Sequence, residues 1–243
     1  MTKMYEANNH ILIRTGYADP VEHCHMAAHI IISMEEEIRI VSNDTEYLCH
    51  GIMIPSGIAH MVDTNENDVL VFVYDCTTSV AKQIHKIEML SKEVCNHIVQ
   101  CYNIFEQSCN SDAYSKFEKK LLKQLNIVNS ISRVEDERIL CAMEYIRSSF
   151  HTKISCKEVA KVVNLSQGRF SHLFKEKVGM TFAAYLIYQR IMHVYYEIFH
   201  GKSITEAALE SGFSSSAHFA DVNRRVFGIS ASNIIHNAVY MKV

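Results

Sequence analysis

From Ile11 to Tyr74 the chain reads as short β-rich runs, "HIIISM", "IRIV", "GIMIP" and "VLVFVYD". Asp19-Pro20, Asn43-Asp44, Pro55-Ser56-Gly57 and Asn65 to Asp68 interrupt them, and these residue types favour turns. Short strands at regular spacing predict a small sandwich or barrel. After Cys76 the period lengthens. In "VAKQIHKIEMLSKEVCNHIVQCYNIFEQ" and "DAYSKFEKKLLKQLNIV" apolar residues recur at i, i+3, i+4 and i+7, the spacing of one helix face. Asn110-Ser111-Asp112 is the break between them, with an acidic start to the second helix. Two helices without a sheet of their own must bury their stripes on the barrel or on a second copy of the chain. The second copy, a homodimer, is the preferred reading. Beyond a charged joint, "SRVEDER" (132–138), the pattern stays helical to the C-terminus. Most of those helices are short, with one longer piece from about Thr181 to His200.

The 243 residues suffice for two modest domains. No run of 18 uncharged apolar residues occurs, and "MTKMYEANNH" lacks the apolar centre of a signal peptide. The expectation is a soluble, cytoplasmic protein with no membrane partner. Eight scattered cysteines without a C-x-x-C pair predict reduced thiols and neither a disulfide framework nor a zinc finger. The net charge of −3 is divided unevenly. Residues 1–135 hold 11 Lys/Arg against 18 Asp/Glu (−7), and residues 136–243 hold 13 against 9 (+4). Only the back half is suited to a polyanion.

That half contains an imperfect repeat. "ISCKEVAKVVNLSQGRFSHLFKEKVG" (154–179) and "ITEAALESGFSSSAHFADVNRRVFG" (204–228) align Ala160, Leu165, Phe170 and Gly179 with Ala208, Phe213, Phe219 and Gly228. Each unit has a short helix, a tight turn at Asn164 or Gly212, and a Ser-capped second helix. Asn and Gly tolerate the left-handed turn, and Ala160 and Ala208 let the two helices approach. This is the helix-turn-helix plan, whose second helix enters a major groove. A connecting helix of about 20 residues spans roughly 30 Å, close to the 34 Å or so between successive grooves on one DNA face.

Residues 136–243 resemble the C-terminal domain of AraC/XylS-type transcription regulators. "SQGRFSHLFKEKVGMTFAAYL", Arg190 and "ITEAALESGFSSSAHFADVNRRVFGISAS" carry the resemblance. It implies a bipartite site on double-stranded DNA, and RNA polymerase as a further partner if the chain activates. By the family's motif, the base-facing positions of the first reader are Gly168, Ser171 and His172, flanked by Gln167 and Arg169. Arg can bind guanine bidentately and Gln adenine, and Ser166 should cap the helix. In the second reader Ser215 or Ser216 caps, and Ala217, His218, Ala220 and Asp221 face outward. Three residues depart from the family pattern. Asp221 stands where a basic or polar residue is usual, Asn223 replaces a core phenylalanine, and Ala231 replaces a closing proline. The first reader is therefore expected to dominate. Lys175, Lys177, Arg190, Arg224 and Arg225 are the candidate phosphate contacts.

The front half carries "EHCHMAAH" (22–29) and "HGIMIPSGIAH" (50–60). On a strand His23 and His25 share a face and Cys24 takes the other. The two stretches resemble the half-motifs of cupins, H-x-H-x3-E and G…P-x-G-x2-H, with His29 in the glutamate position. Three readings of His23, His25, His29 and His60 stay open: a transition-metal site, contacts to a small organic effector, or structural histidines. A metal-dependent cupin enzyme is not expected. No carboxylate base stands beside the motif, and G-x-S-x-G, P-loop and G-x-G-x-x-G patterns are absent.

The expected fold class is α+β. A cupin-like β barrel (1–78) senses, a helical linker and dimerisation segment (79–133) follows, and an all-α double helix-turn-helix domain (134–243) binds DNA. The expected function is an effector-controlled transcription regulator. The alternative is an effector-independent dimeric activator whose cupin only dimerises.

Overall fold

A computed structural model describes residues 2–7, 9–24, 27–128, 136–227, 230–235 and 239–243, with side chains for all of these except 17–21, 23, 227, 233 and 234. The chain divides into two compact units, one of Met1–Cys76, Val80–Val128 and Arg224–Val243, the other of Thr77–Ser79 and Asn129–Asn223.

The first unit is built on strands β1 (Lys3–Glu6), β2 (His10–His23), β3 (Ala27–Ser33), β4 (Ile38–Ser42), β5 (Thr45–Cys49), β6 (Gly51–Ile54), β7 (His60–Asp75) and β8 (Glu88–Met89). Helices α1 (Lys92–Ser108) and α2 (Ser111–Gln124) follow. Asn43 and Asp44, at φ 47° and 59°, make the two-residue turn of the β4–β5 hairpin, as the right-handed twist of paired strands requires. The break expected at Asn65 is instead a bulge inside β7. Asn65 and Glu66 take φ 49° and 64°; β2 pairs with β7 on both sides of them, while on the other edge the partner changes. Val69–Asp75 pairs with β3, whereas Met61–Asp63 pairs with β4.

The helix expected from Val80 begins at Lys92. Ser91 caps it by accepting from Val94 N, while Glu88 and Met89 pair with β6. Gly51 lets that edge approach α1, since a Cβ there would lie 2.6 Å from Cys95 Sγ. Cys95, Ile98, Tyr102 and Phe105 of α1 and Tyr114, Phe117, Leu121 and Leu122 of α2 share one core with Tyr5, Leu12, Ile30, Phe72 and Tyr74 of the strands. The stripes expected to seek a second copy are thus covered by the chain's own sheet.

The back half forms α3 (Glu137–Ser149), α4 (Cys156–Val162), α5 (Gln167–Val178), α6 (Phe182–Phe199), α7 (Ile204–Glu210), α8 (Ser216–Phe227) and α9 (Ala231–Ile235). It is not helical to its end. β9 (Val239–Lys242) pairs in parallel with β1, through Val239 N to Thr2 O and Val243 N to Glu6 O, both 2.9 Å. The sheet order is β8-β6-β3-β7-β2-β1-β9, with the β4–β5 hairpin branching from β7. Sequence pattern alone misses this strand because its partner lies more than 230 residues away.

Candidate nucleic-acid interface

The two repeats fold by the same local bonds. Ser155 and Glu158 form a capping box at the start of α4, and Ser203 and Glu206 form one at the start of α7, each satisfying two otherwise orphaned donors. At the turns, Leu165 N donates to Ala160 O (2.9 Å) and Phe213 N to Ala208 O (3.0 Å). Asn164 sits at φ 54° and Gly212 at φ 83°, the left-handed residue such a helix ending needs. Gly212 is further constrained, because a Cβ there would stand 2.9 Å from His151 O and 3.3 Å from Arg190 Nε.

Both second helices are pinned to α6 by aromatic residues. Phe174 meets Tyr185 at 5.4 Å and Phe170 meets Phe182 at 6.0 Å, while Phe219 meets Tyr195 at 6.0 Å. The 18 residues of α6 span about 27 Å. Burial of Phe170, Leu173, Phe174 and Val178 turns the opposite face of α5 outward. Gln167, Gly168, Arg169, Ser171 and His172 are all exposed there. Ser166 caps α5 by accepting from Arg169 N, and a Cβ added at Gly168 would meet nothing within 4 Å. Ser171 Oγ lies 3.2 Å from Cys156 Sγ, and His172 Nδ1 is 3.8 Å from Glu176 Oε2. Lys177 bonds the same carboxylate at 3.0 Å and, as the largest cause, holds its pKa below the ordinary value. Lys175 is exposed and Lys177 half-buried.

In the second reader Ser215 is the cap, accepting from His218 N at 3.0 Å. Ser216 is the first helical residue, and Thr205 Oγ1 donates to its Oγ at 3.4 Å. Ala217, His218, Ala220 and Asp221 are exposed, as are Arg224 and Arg225. Ser214 N donates to His218 Nδ1 at 3.3 Å, so the neutral ring carries its proton on Nε2 and presents a donor. Asn223 is fully buried and accepts from Tyr195 OH at 2.8 Å. A polar residue is accommodated at this core position because the tyrosine of α6 supplies its donor. Ala231 is buried as well.

Arg190, expected as a phosphate contact, is bonded within its own unit. Its Nε donates to Phe150 O (2.8 Å) and its Nη2 to Thr152 O (2.9 Å). Half-buried, its pKa is lowered by desolvation. The guanidinium ties the chain between α3 and α4 to α6, beside the Gly212 turn. The fork was legible as basic; that it serves two carbonyls was not.

The front histidines are brought together only in part. His29 and His60 are buried, with ring centroids 5.8 Å apart, and His60 Nδ1 lies 2.8 Å from Ile58 O. His23 stands opposite His60 in the β2–β7 register. The His23 side chain and all of His25 lie outside the described residues. Among the described residues no group of three His, Cys, Asp or Glu converges as a metal site would require.

Sequence reasoning passed over a second polar cluster in this unit. His10, buried in β2, lies 2.7 Å from Tyr114 OH through Nε2 and 3.1 Å from Asn9 Oδ1 through Nδ1. Its ring stacks on Tyr74 at 4.4 Å, and Glu118 Oε1 is 3.8 Å from Nδ1. Burial lowers the His10 pKa to about 3 and raises that of Glu118 to about 7. An i, i+4, i+8 reading of α1 and α2 for buried polar residues could have found Glu118.

Comparison with known proteins adds to this geometry. A family model described as a helix-turn-helix domain matches residues 159–236. An uncharacterized HTH-type transcriptional regulator of Staphylococcus aureus (strain MSSA476) is 23% identical over 210 residues, 81% of this chain and 26% of the relative. The lactose operon transcription activator of Staphylococcus xylosus is 29% identical over 123 residues, 50% of this chain and 42% of the relative. The chain thus spans about a quarter to two-fifths of the length of these curated relatives. Among solved structures, wild-type ToxT of Vibrio cholerae with unsaturated fatty acid bound has a TM-score of 0.52 at 12% identity, over 94% of this chain and 95% of that one. That likeness is one of fold. Among the described residues no helix is long and apolar enough to cross a membrane.

Proposed function

We propose that the chain is a DNA-binding transcription regulator of the AraC type, a reading supported by the helix-turn-helix match over residues 159–236 and by the HTH-type relatives, and that α5 and α8 read two separated segments of one duplex face. The observation that carries this reading is the duplicated turn geometry, with Leu165–Ala160 and Phe213–Ala208 bonds at the two ends of one rigid helix. Gln167, Arg169 and His172 supply the polar groups of the first reader, and His218 with the small Ala217 and Ala220 supplies the second. Lys175, Lys177, Arg224 and Arg225 take phosphates. Arg190 serves by holding the unit together.

The front unit is the regulatory one in this proposal. Its ligand is a small organic effector, contacted from the side of His29 and His60, that biases a population of arrangements differing in how the readers are presented. The fatty acid bound by ToxT makes an apolar carboxylic acid the first class to try. A dimer remains part of the proposal through an interface other than the buried stripes of α1 and α2. Selection of bound duplexes from a random pool by the full-length chain tests the reading. Two short boxes about 10 bp apart centre to centre are expected. Recovery of a single continuous box, or of no enriched sequence, would reject it.

A further inference from the structure

The sensor-side unit is acidic, yet one of its faces is not. Of the 11 Lys/Arg in residues 1–135, four lie on α2 as Lys116, Lys119, Lys120 and Lys123. They occupy i, i+3, i+4 and i+7, a single stripe, and all are exposed. The stripe cannot rotate inward, because Tyr114, Phe117, Leu121 and Leu122 bind the opposite face to the core. The helix's own acids offset it only in part: Asp112 stands in the first turn, and Glu118, which feels the charge of Lys119, is 3.8 Å from buried His10. Among the described residues none of the four ammonium groups joins an ion pair. Lys123 in the last turn is favoured by the helix dipole, but four like charges on one helix face repel one another, and the stripe as a whole suits an external polyanion.

We propose that this lysine stripe is a second, sequence-independent DNA contact, taking the phosphate backbone beside the site read by α5 and α8. The proposal rests on the reading of those helices as DNA readers. The stripe's rise, about 10 Å, matches about three successive phosphates of one strand at roughly 3.4 Å of axis each. The stripe and the readers belong to one chain, so a duplex held by the readers meets the stripe at the raised local concentration of a tethered site. The rest of residues 1–135, at −11 without these four lysines, would be repelled by DNA. A basic face lets it lie against the duplex in one orientation.

The test uses the full-length chain on duplexes of about 60 bp selected by the wild type from a random pool. Affinity is measured by fluorescence anisotropy between about 50 and 200 mM salt. The K116Q/K119Q/K120Q/K123Q variant is expected to lose about 2 to 3 from the slope of log affinity against log salt, about 0.9 per phosphate contact, with base preference unchanged. The corresponding four-arginine variant should keep the wild-type slope, which separates lost charge from a damaged helix. An unchanged slope in the glutamine variant would overturn the proposal while leaving the readers intact. So would an unchanged slope with altered sedimentation, which would assign the stripe to a second copy, such as its exposed Glu35-Glu36-Glu37 turn. Failure of the wild type to bind any duplex would instead reject the readers, and the stripe with them.

Discussion

Replacing Arg190 by alanine separates an architectural arginine from a phosphate hook. The side chain makes two charge-assisted bonds, to Phe150 O at 2.8 Å and Thr152 O at 2.9 Å. Such bonds contribute about 1.5–3 kcal/mol each. Phe150 is buried, so its carbonyl loses its partner without full access to water, whereas Thr152 is exposed and rehydrates. The expected loss is about 2–4 kcal/mol, read as a lower urea midpoint at unchanged m-value for the second unit. Arg190→Lys should lose nearly as much, because an ammonium cannot span both carbonyls as the planar fork does. Under conditions where both variants are folded, the salt slope of DNA binding should match wild type. The reasoning is refuted if Arg190→Ala keeps its stability and loses about 0.9 of slope, the signature of a phosphate contact.

Three further outcomes follow from the same geometry. Gly212→Ala should destabilise the second unit by about 2 kcal/mol or more, since positive φ and contact with His151 O both oppose a Cβ; Asn164→Gly, at a position already left-handed, should cost under about 1 kcal/mol in the same denaturation assay. The His10–Glu118 pair gives a pH prediction with opposing signs. The fold favours neutral Glu118, so about 3 kcal/mol present below about pH 4.5 is lost as pH rises through about 7. It also favours neutral His10, so stability present above about pH 6.5 is lost as pH falls toward 3. Wild type should be nearly flat between about pH 4.5 and 6.5, and Glu118→Gln should uncover a rise of up to about 1.4 kcal/mol per pH unit there; superimposable profiles would contradict this. Deleting residues 239–243 removes the strand beside β1 and the Lys242 and Tyr240 partners of buried Glu6. It should cost about 2–3 kcal/mol in the first unit, from the lost ladder bonds and the unpaired Glu6 carboxylate, and Glu6→Gln should recover part of the loss in a thermal melt.

What the sequence made legible was local. The 3.6-residue stripes placed α2, α5 and α8, Asn164 and Gly212 marked both turns, and Ser166 marked a cap. The paired capping boxes at Ser155-x-x-Glu158 and Ser203-x-x-Glu206 were present as a sequence signal, and they extend the repeat beyond the residues first aligned. What stayed hidden depends on partners distant in the chain. Glu88 and Met89 leave the helical pattern because β6 offers them a ladder, and "VYMK" is a strand only because β1 has an open edge. Arg190 reads as one more basic residue until the carbonyls of Phe150 and Thr152 are placed beside it. Asn223 looks like a defect in a core position until Tyr195 supplies its donor. The histidines illustrate both limits. Their spacing set His23 opposite His60 and brought His29 near, but spacing does not say which ring nitrogens face a ligand.

The most direct measurement is a base-by-base binding profile for His172→Ala and His218→Ala beside wild type, on the duplexes the full-length chain selects. Each variant should relax preference at its own position, with the two positions about one helical turn apart and about 1–3 kcal/mol of discrimination lost at each. Uniform weakening across all sequences, or loss at the same position in both variants, would contradict two readers set in successive grooves.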